Sequence, residues 1–302
     1  MANFSTGNAS CEAGMKTSRE SVVLQSLGHR LAAELFLPES ARPVPALIVC
    51  HGAGEFKENY FELCECLAAR GVAALALDMH GHGQSEGERY CVEIPHWVED
   101  VRAALRFLAA HPLVNGDSIG AFGFSSGGTA ILEAALVEPK LKALVALDAT
   151  VRSSMPFAFA VLMKCLVGIG RIKKALTKRD WRLSLVKMMN GVQFASDPEA
   201  ERRLRADPRA LAAYMAFPLP GAAQSIFVNT LERVSKIKIP TLVLWGEDDK
   251  LDPPETARML FDALVCKKAL HIIPGNGHVG HLDRHRDKVF ALTTDWALQN
   301  LA

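Results

Sequence analysis

Ile119-Gly120-Ala121-Phe122-Gly123-Phe124-Ser125-Ser126-Gly127-Gly128 is an apolar run that ends at a serine and passes directly into a stretch of helical character. A serine between two glycines at such a junction is the sequence form of a nucleophile elbow. The turn crowds the positions two before and two after its apex with backbone, so both must be small. Gly123 and Gly127 satisfy this for Ser125. Centring the turn on Ser126 would place the Phe124 ring in that space, so Ser125 is the candidate nucleophile.

A serine hydroxyl needs a hydrogen-bonded base and an acid that orients the base. Downstream, Leu242-Val243-Leu244-Trp245 runs into the polar loop Gly246-Glu247-Asp248-Asp249-Lys250-Leu251-Asp252-Pro253, where three aspartates compete. A further apolar run, Ala269 to Ile273, leads into Pro274-Gly275-Asn276-Gly277-His278-Val279-Gly280-His281. Residues 254–264 between them read as a helix, so both loops leave the carboxyl ends of neighbouring parallel strands, where ligands bind in an open α/β sheet. The order serine, acid, histidine is that of an α/β-type hydrolase. Asp148, closing the apolar run from Ala143, is a rival acid. Asp252 before Pro253-Pro254 reads as a helix cap, and Asp248 as a solvated neighbour. His278, His281 and His285 have metal-ligand spacing only on a helix, which Gly277 and Gly280 disfavour, so no metal is expected.

With His51-Gly52-Ala53-Gly54-Glu55 and Asp78-Met79-His80-Gly81-His82-Gly83-Gln84-Ser85-Glu86-Gly87-Glu88-Arg89 added, the chain resembles the α/β-hydrolase superfamily, and within it the monoacylglycerol lipase-like serine hydrolases. The motifs extend from His51 to Asp283. The resemblance implies Ser125 as nucleophile, Asp249 as acid and His278 as base. Phe124 and Ser126 depart from the histidine and methionine common at the lipase elbow. Backbone N–H groups of Ala53 and Ser126 are the candidate oxyanion donors, each worth roughly 3 kcal/mol in the transition state. The Asp78 to Ser85 motif reads as a loop held by internal hydrogen bonds, with His80 and His82 structural.

The 302 residues, with a formal net charge of +1, suit one core domain with an insertion and exclude the basic footprint of a nucleic-acid-binding protein. Seven cysteines at scattered positions suit reduced thiols. Residues 1–20 lack a secretory pattern and read as a loose tail, and the expected location is cytoplasmic.

Strands are expected over 21–27 and 31–37 as a hairpin about Gly28-His29, then over 46–50, 72–77, 119–124, 141–147, 241–245 and 269–273. Helices are expected over 59–69, 98–109, 126–137 and 289–300. This defines an α/β fold with an eight-stranded, mostly parallel sheet, its core comprising 21–150 and 236–302. The alternation stops over 151–235, which reads as a mainly helical cap inserted after the sixth strand. There the apolar run 155–169 precedes Arg171, Lys173, Lys174, Lys178, Arg179 and Arg182. Two readings follow: a lid covering an acyl pocket, with Met155, Phe159, Leu162 and Leu166 as contacts, or peripheral membrane contact. The expectation is a cofactor-free serine esterase acting on small lipophilic esters of medium or long acyl chains, such as monoacylglycerols. The alternatives are an amidase or peptidase on the same fold, or a hydrolase-like binding protein with little turnover.

Overall fold

The computed structural model describes residues 14–153 and 156–301. Strands β1 (Thr17–Ser26), β2 (His29–Pro38) and β3 (Val44–Cys50) precede helix α1 (Phe61–Ala69) and β4 (Ala73–Leu77). Helix α2 (Ile94–Ala110), β5 (Val114–Phe124), α3 (Ser126–Ala135) and β6 (Leu144–Leu147) follow. After the insertion come β9 (Thr241–Gly246), α8 (Pro254–Ala263), β10 (Lys268–Ile273) and α9 (Arg286–Leu301). The main sheet has eight strands in the order β1-β2-β4-β3-β5-β6-β9-β10. Among the described residues of this sheet, the β1–β2 and β2–β4 pairings are antiparallel and the rest parallel.

Strand period two explains the two cores. In β3, Ala46, Ile48 and Cys50 face one apolar layer and Leu47 and Val49 the other. The first layer receives Trp97 and Leu105 from α2, Ile131 from α3 and Leu260 from α8. The second receives Leu63 from α1 and Phe290 and Trp296 from α9. Strands covered on both faces must be apolar throughout, which is why the central segments are legible as unbroken hydrophobic runs.

Several boundaries differ from the sequence reading. Residues 17–20 of the expected tail pair with Pro38 through Leu35 in β1–β2, while 1–13 lie outside the described residues. The hairpin turns at Leu27-Gly28, both with positive φ, so that Ser26 pairs with His29. This is the backbone a two-residue turn matched to strand twist requires. Helix α2 starts at Ile94, earlier than expected, with Pro95 in its first turn, where a missing N–H costs nothing. Cys66 is disulfide-bonded, against the expectation of reduced thiols, whereas Cys50, Cys64, Cys91, Cys165 and Cys266 are free.

Between β6 and β9 lie α4 (Phe157–Thr177), β7 (Arg182–Leu183), α5 (Val186–Met189), α6 (Pro198–Ala206), α7 (Pro208–Met215) and β8 (Phe217–Pro218). Strands β7 and β8 form a small antiparallel pair that the mainly helical reading did not include. Asp197 and Asp207 cap α6 and α7 through their carboxylates, which accept backbone N–H groups of each first turn.

The Asp78 loop is organised around a buried ion pair. Lys57 Nζ lies 2.7 Å from Asp78 Oδ2, with the two side chains 2 % and 0 % exposed. Asp78 also accepts from the backbone of Lys57 and Gln84, and Ser85 Oγ donates to its carbonyl. Gly83 has positive φ, and a Cβ there would lie 2.0 Å from the Asp78 carboxyl carbon. The motif is therefore a structural knot beside the site.

Candidate active site

Ser125 joins β5 to α3 with φ 51° and ψ −118°, a strained conformation for a residue with a Cβ. A Cβ on Gly123 would sit 2.3 Å from the Gly127 carbonyl oxygen, and one on Gly127 would sit 2.4 Å from that of His51. Any larger residue at either place would push the turn apart. The elbow thus holds the serine side chain at the carboxyl edge of the sheet and at the buried N-terminus of α3.

Two neighbouring parallel strands bring the partners. The loop after β9 carries Asp249 and the loop after β10 carries His278. His278 Nε2 lies 3.1 Å from Ser125 Oγ, and His278 Nδ1 lies 2.8 Å from Asp249 Oδ2. Asp249 Oδ1 accepts from the N–H groups of Leu251 and Asp252, which fixes the carboxylate. Asp283 accepts from the N–H groups of Gly277, Ser196 and Asp197, anchoring the histidine loop to the start of α6.

The other acids separate by position. Asp248 is exposed and accepts from Ser196 Oγ. Asp252 does not cap α8, whose N-cap is Pro253. It points inward and accepts from Thr150 Oγ1 at 2.8 Å, because the chain turns at Asp249 before entering the helix. Thr150 Oγ1 also lies 3.4 Å from Ser125 Oγ, so the serine proton faces two acceptors. Asp148, with positive φ, accepts from Gly246 N at 2.8 Å and Gly280 N at 3.4 Å. It ties together the roots of the acid and histidine loops.

Burial lowers the pKa of His278, but the charge and hydrogen bond of Asp249, then Asp252 and Asp148, outweigh it and raise the imidazole to about 9. Burial lifts Asp252 to about 6, partly opposed by His278. For Asp148, burial and then the charge of Asp249 hold the carboxyl well above the carboxylate range.

The Gly52–Glu55 loop lies against the elbow, since a Cβ on Gly52 would be 3.2 Å from Ser125 Cβ. Neither Ala53 N–H nor Ser126 N–H donates to a loop or cap carbonyl among the described residues. His51 fixes this loop, with Nδ1 2.7 Å from Gly52 O and Nε2 accepting from Met79 N–H. The sequence reading missed the buried group beneath it. Tyr60 OH donates to Glu55 Oε2 at 2.5 Å, and His281 stacks on the Tyr60 ring with Nε2 3.3 Å from Glu55 Oε1. His278, His281 and His285 thus face different partners, His285 lying beside Gly275. The signal available in the sequence was Glu55 itself, an acid inside a glycine-rich apolar loop.

Ser125, Ser126, Ala53 and His278 open on a cavity of about 660 Å³. Its apolar wall includes Phe124, Phe194, Leu204, Leu211, Tyr214 and Phe217. Of the expected acyl contacts, the described Phe159, Leu162 and Leu166 do not line it. Phe159 and Leu162 are exposed on α4, and Leu166 packs with Met163 and Val167 against Leu219 and Ala223. Met155 lies outside the described residues. Helices α6 and α7 and strand β8 supply wall residues, whereas the inner face of α4 packs in a cluster with Phe217 and Ile226, which themselves line the cavity.

Residues 41–285 match the family model described as serine aminopeptidase, S33. The chain is 25 % identical to a monoacylglycerol lipase of Mycolicibacterium smegmatis, covering 91 % of this chain and 95 % of that protein. It is 28 % identical to a monoglyceride lipase of Homo sapiens, covering 96 % of each. Among solved structures, an α/β hydrolase from Penicillium sp. sh18 superimposes with a TM-score of 0.79 at 22 % identity, covering 94 % of this chain and 99 % of that one.

Proposed function

The chain belongs to the serine aminopeptidase S33 family, and on that premise we propose that it is a carboxylic ester hydrolase forming an acyl-enzyme on Ser125. Its substrates are small lipophilic esters with medium or long acyl chains, monoacylglycerols among them. The observation that carries this is the hydrogen-bonded chain Ser125–His278–Asp249 at the floor of a largely apolar cavity. The lipase names of two relatives support it.

His278 Nε2 takes the Ser125 proton as Oγ attacks the ester carbonyl, and Asp249 holds Nδ1–H and stabilises the imidazolium. The N–H groups of Ala53 and Ser126 receive the oxyanion. Collapse expels the alcohol, protonated by His278, and water then repeats the sequence to release the acid. Residues 151–235 act as the cap over this chemistry.

An aminopeptidase would need a free carboxylate for the substrate ammonium. The acids of the cavity wall are engaged: Glu58 and Asp207 with Arg209, Glu62 with Arg286, Glu55 with Tyr60 and His281, and Asp252 with Thr150. This favours esters over aminoacyl amides.

Two measurements test the reading. Because the base works only as neutral imidazole, kcat/KM is expected to rise with pH, and its ascending limb to lie above the 6 to 7 of an ordinary histidine, towards the value of about 9 set by Asp249. A flat profile between pH 5 and 9 would exclude a histidine base. In a series of acetyl, butyryl, octanoyl and lauroyl esters, each buried methylene contributes up to about 0.8 kcal/mol, so kcat/KM should climb several-fold along the series until the cavity is filled. Leu204→Asp and Leu211→Asp should each lower octanoyl turnover about tenfold or more and acetyl turnover by less than about threefold. A preference for acetyl esters, or cleavage of aminoacyl amides without esters, would overturn the substrate assignment and leave the serine mechanism standing.

A further inference from the structure

His281 is 1 % exposed and packs on two rings, stacked on Tyr60 with centroids 4.4 Å apart and tilted against Phe124 at 4.7 Å. Among the described residues its Nδ1 has no hydrogen-bond partner, and its Nε2 faces Glu55 Oε1 at 3.3 Å. A phenylalanine could pack on both rings without burying an unpaired nitrogen, which is costly. The imidazole is therefore explained by what Nε2 does to Glu55.

The Glu55 carboxylate needs that neighbour because of where it lies. Burial by itself would raise its pKa, but the charge and contact of His281, then the Tyr60 hydroxyl, bring it down to about 2, so the group is ionised. Its Oε2 lies 3.5 Å from Gly52 N, and its Oε1 lies 3.3 Å from Asn59 Nδ2. Gly52 precedes Ala53, whose N–H is the proposed oxyanion donor. A buried negative charge thus reaches the residue next to the place where a second one forms during acyl transfer, and like charges in a dry site oppose each other. His281 also follows His278 by three residues on one loop, and the Phe124 ring packs on both imidazoles, 5.0 Å from that of His278. On the ester-hydrolase reading above, we propose that His281 is a positioning residue for the reaction: by pairing with Glu55 it offsets the charge beside the oxyanion loop and fixes where that carboxylate sits.

The test is octanoyl ester hydrolysis by the full chain, expressed per Ser125 titrated with a fluorophosphonate, together with inhibition by an octyl trifluoromethyl ketone, whose adduct with Ser125 carries the oxyanion. His281→Phe keeps the ring packing; it should lower kcat about 100-fold and weaken the ketone by a similar factor, while KM moves less than about threefold. Glu55→Gln should cost less than about tenfold, since the amide carries no charge. The double variant Glu55→Gln/His281→Phe should be at least about fivefold faster than His281→Phe, because the charge that needed offsetting is gone. His281→Gln, whose amide can still donate to Glu55, should recover most of the loss. Wild-type kcat in His281→Phe, a double variant no faster than His281→Phe, or a loss confined to KM would overturn the proposal and leave the Ser125 chemistry standing. So would a fall of about 100-fold in Glu55→Gln, which decides the matter even if His281→Phe does not fold. A wild-type chain that neither reacts with the fluorophosphonate nor turns over esters would overturn the underlying reading, and this one with it.

Discussion

Ser125→Ala is expected to abolish labelling by a fluorophosphonate probe and to lower kcat for any ester substrate by roughly 10⁴- to 10⁶-fold, with an unchanged melting temperature. Alanine retains the Cβ that already sits at φ 51°, so the elbow strain and the packing of Gly123 and Gly127 stay as they are. Only the atom 3.1 Å from His278 Nε2 is lost. Ser126→Ala provides the contrast. Its proposed contribution is a backbone N–H, which alanine keeps, so activity should fall by less than about tenfold. Undiminished labelling of Ser125→Ala would show that another nucleophile operates.

Asp249→Asn should cost about 10³- to 10⁴-fold in kcat. The asparagine NH₂ group facing His278 Nδ1 would force the opposite tautomer, with a proton on Nε2 pointing at Ser125 and no lone pair to accept from it. His278→Ala should be at least as damaging. Asp252→Asn alters the contact to Thr150 and removes a secondary contribution to the field on His278, and Asp148→Asn replaces a carboxyl that burial and the charge of Asp249 hold well above the carboxylate range. Both should retain activity within about tenfold. Activity in Asp249→Asn together with its loss in Asp252→Asn would move the acid by three residues along the loop.

The elbow and the sheet were legible because their constraints are local. Gly123 and Gly127 are dictated by backbone crowding within five residues, and strands buried on both faces must be apolar at every position. The order of motifs then set the sheet edge at which the chemistry lies. Local periodicity says less about partners that are distant in sequence. Asp249 and Asp252 are both buried, and only the turn between them decides that one faces His278 and the other Thr150. Glu55, Tyr60 and His281 meet through a fold that closes over more than two hundred residues, so no spacing announces them.

The cap shows the same division. A run as apolar as α4 must find an apolar neighbour on one face, and the sequence states this much by itself. Which neighbour it finds, and whether the opposite face is covered, depends on the packing of β7, β8 and the residues after them. The cavity wall consequently came from the less apolar α6 and α7, whose Leu204, Leu211 and Tyr214 line the cavity onto which Ser125 opens. The elbow turn at Ser125, the sheet and the order of the site loops were determined by the sequence alone. The acid's facing, the cavity lining and the exposed face of α4 were decided by tertiary structure, because each depends on which surfaces meet after the chain has folded.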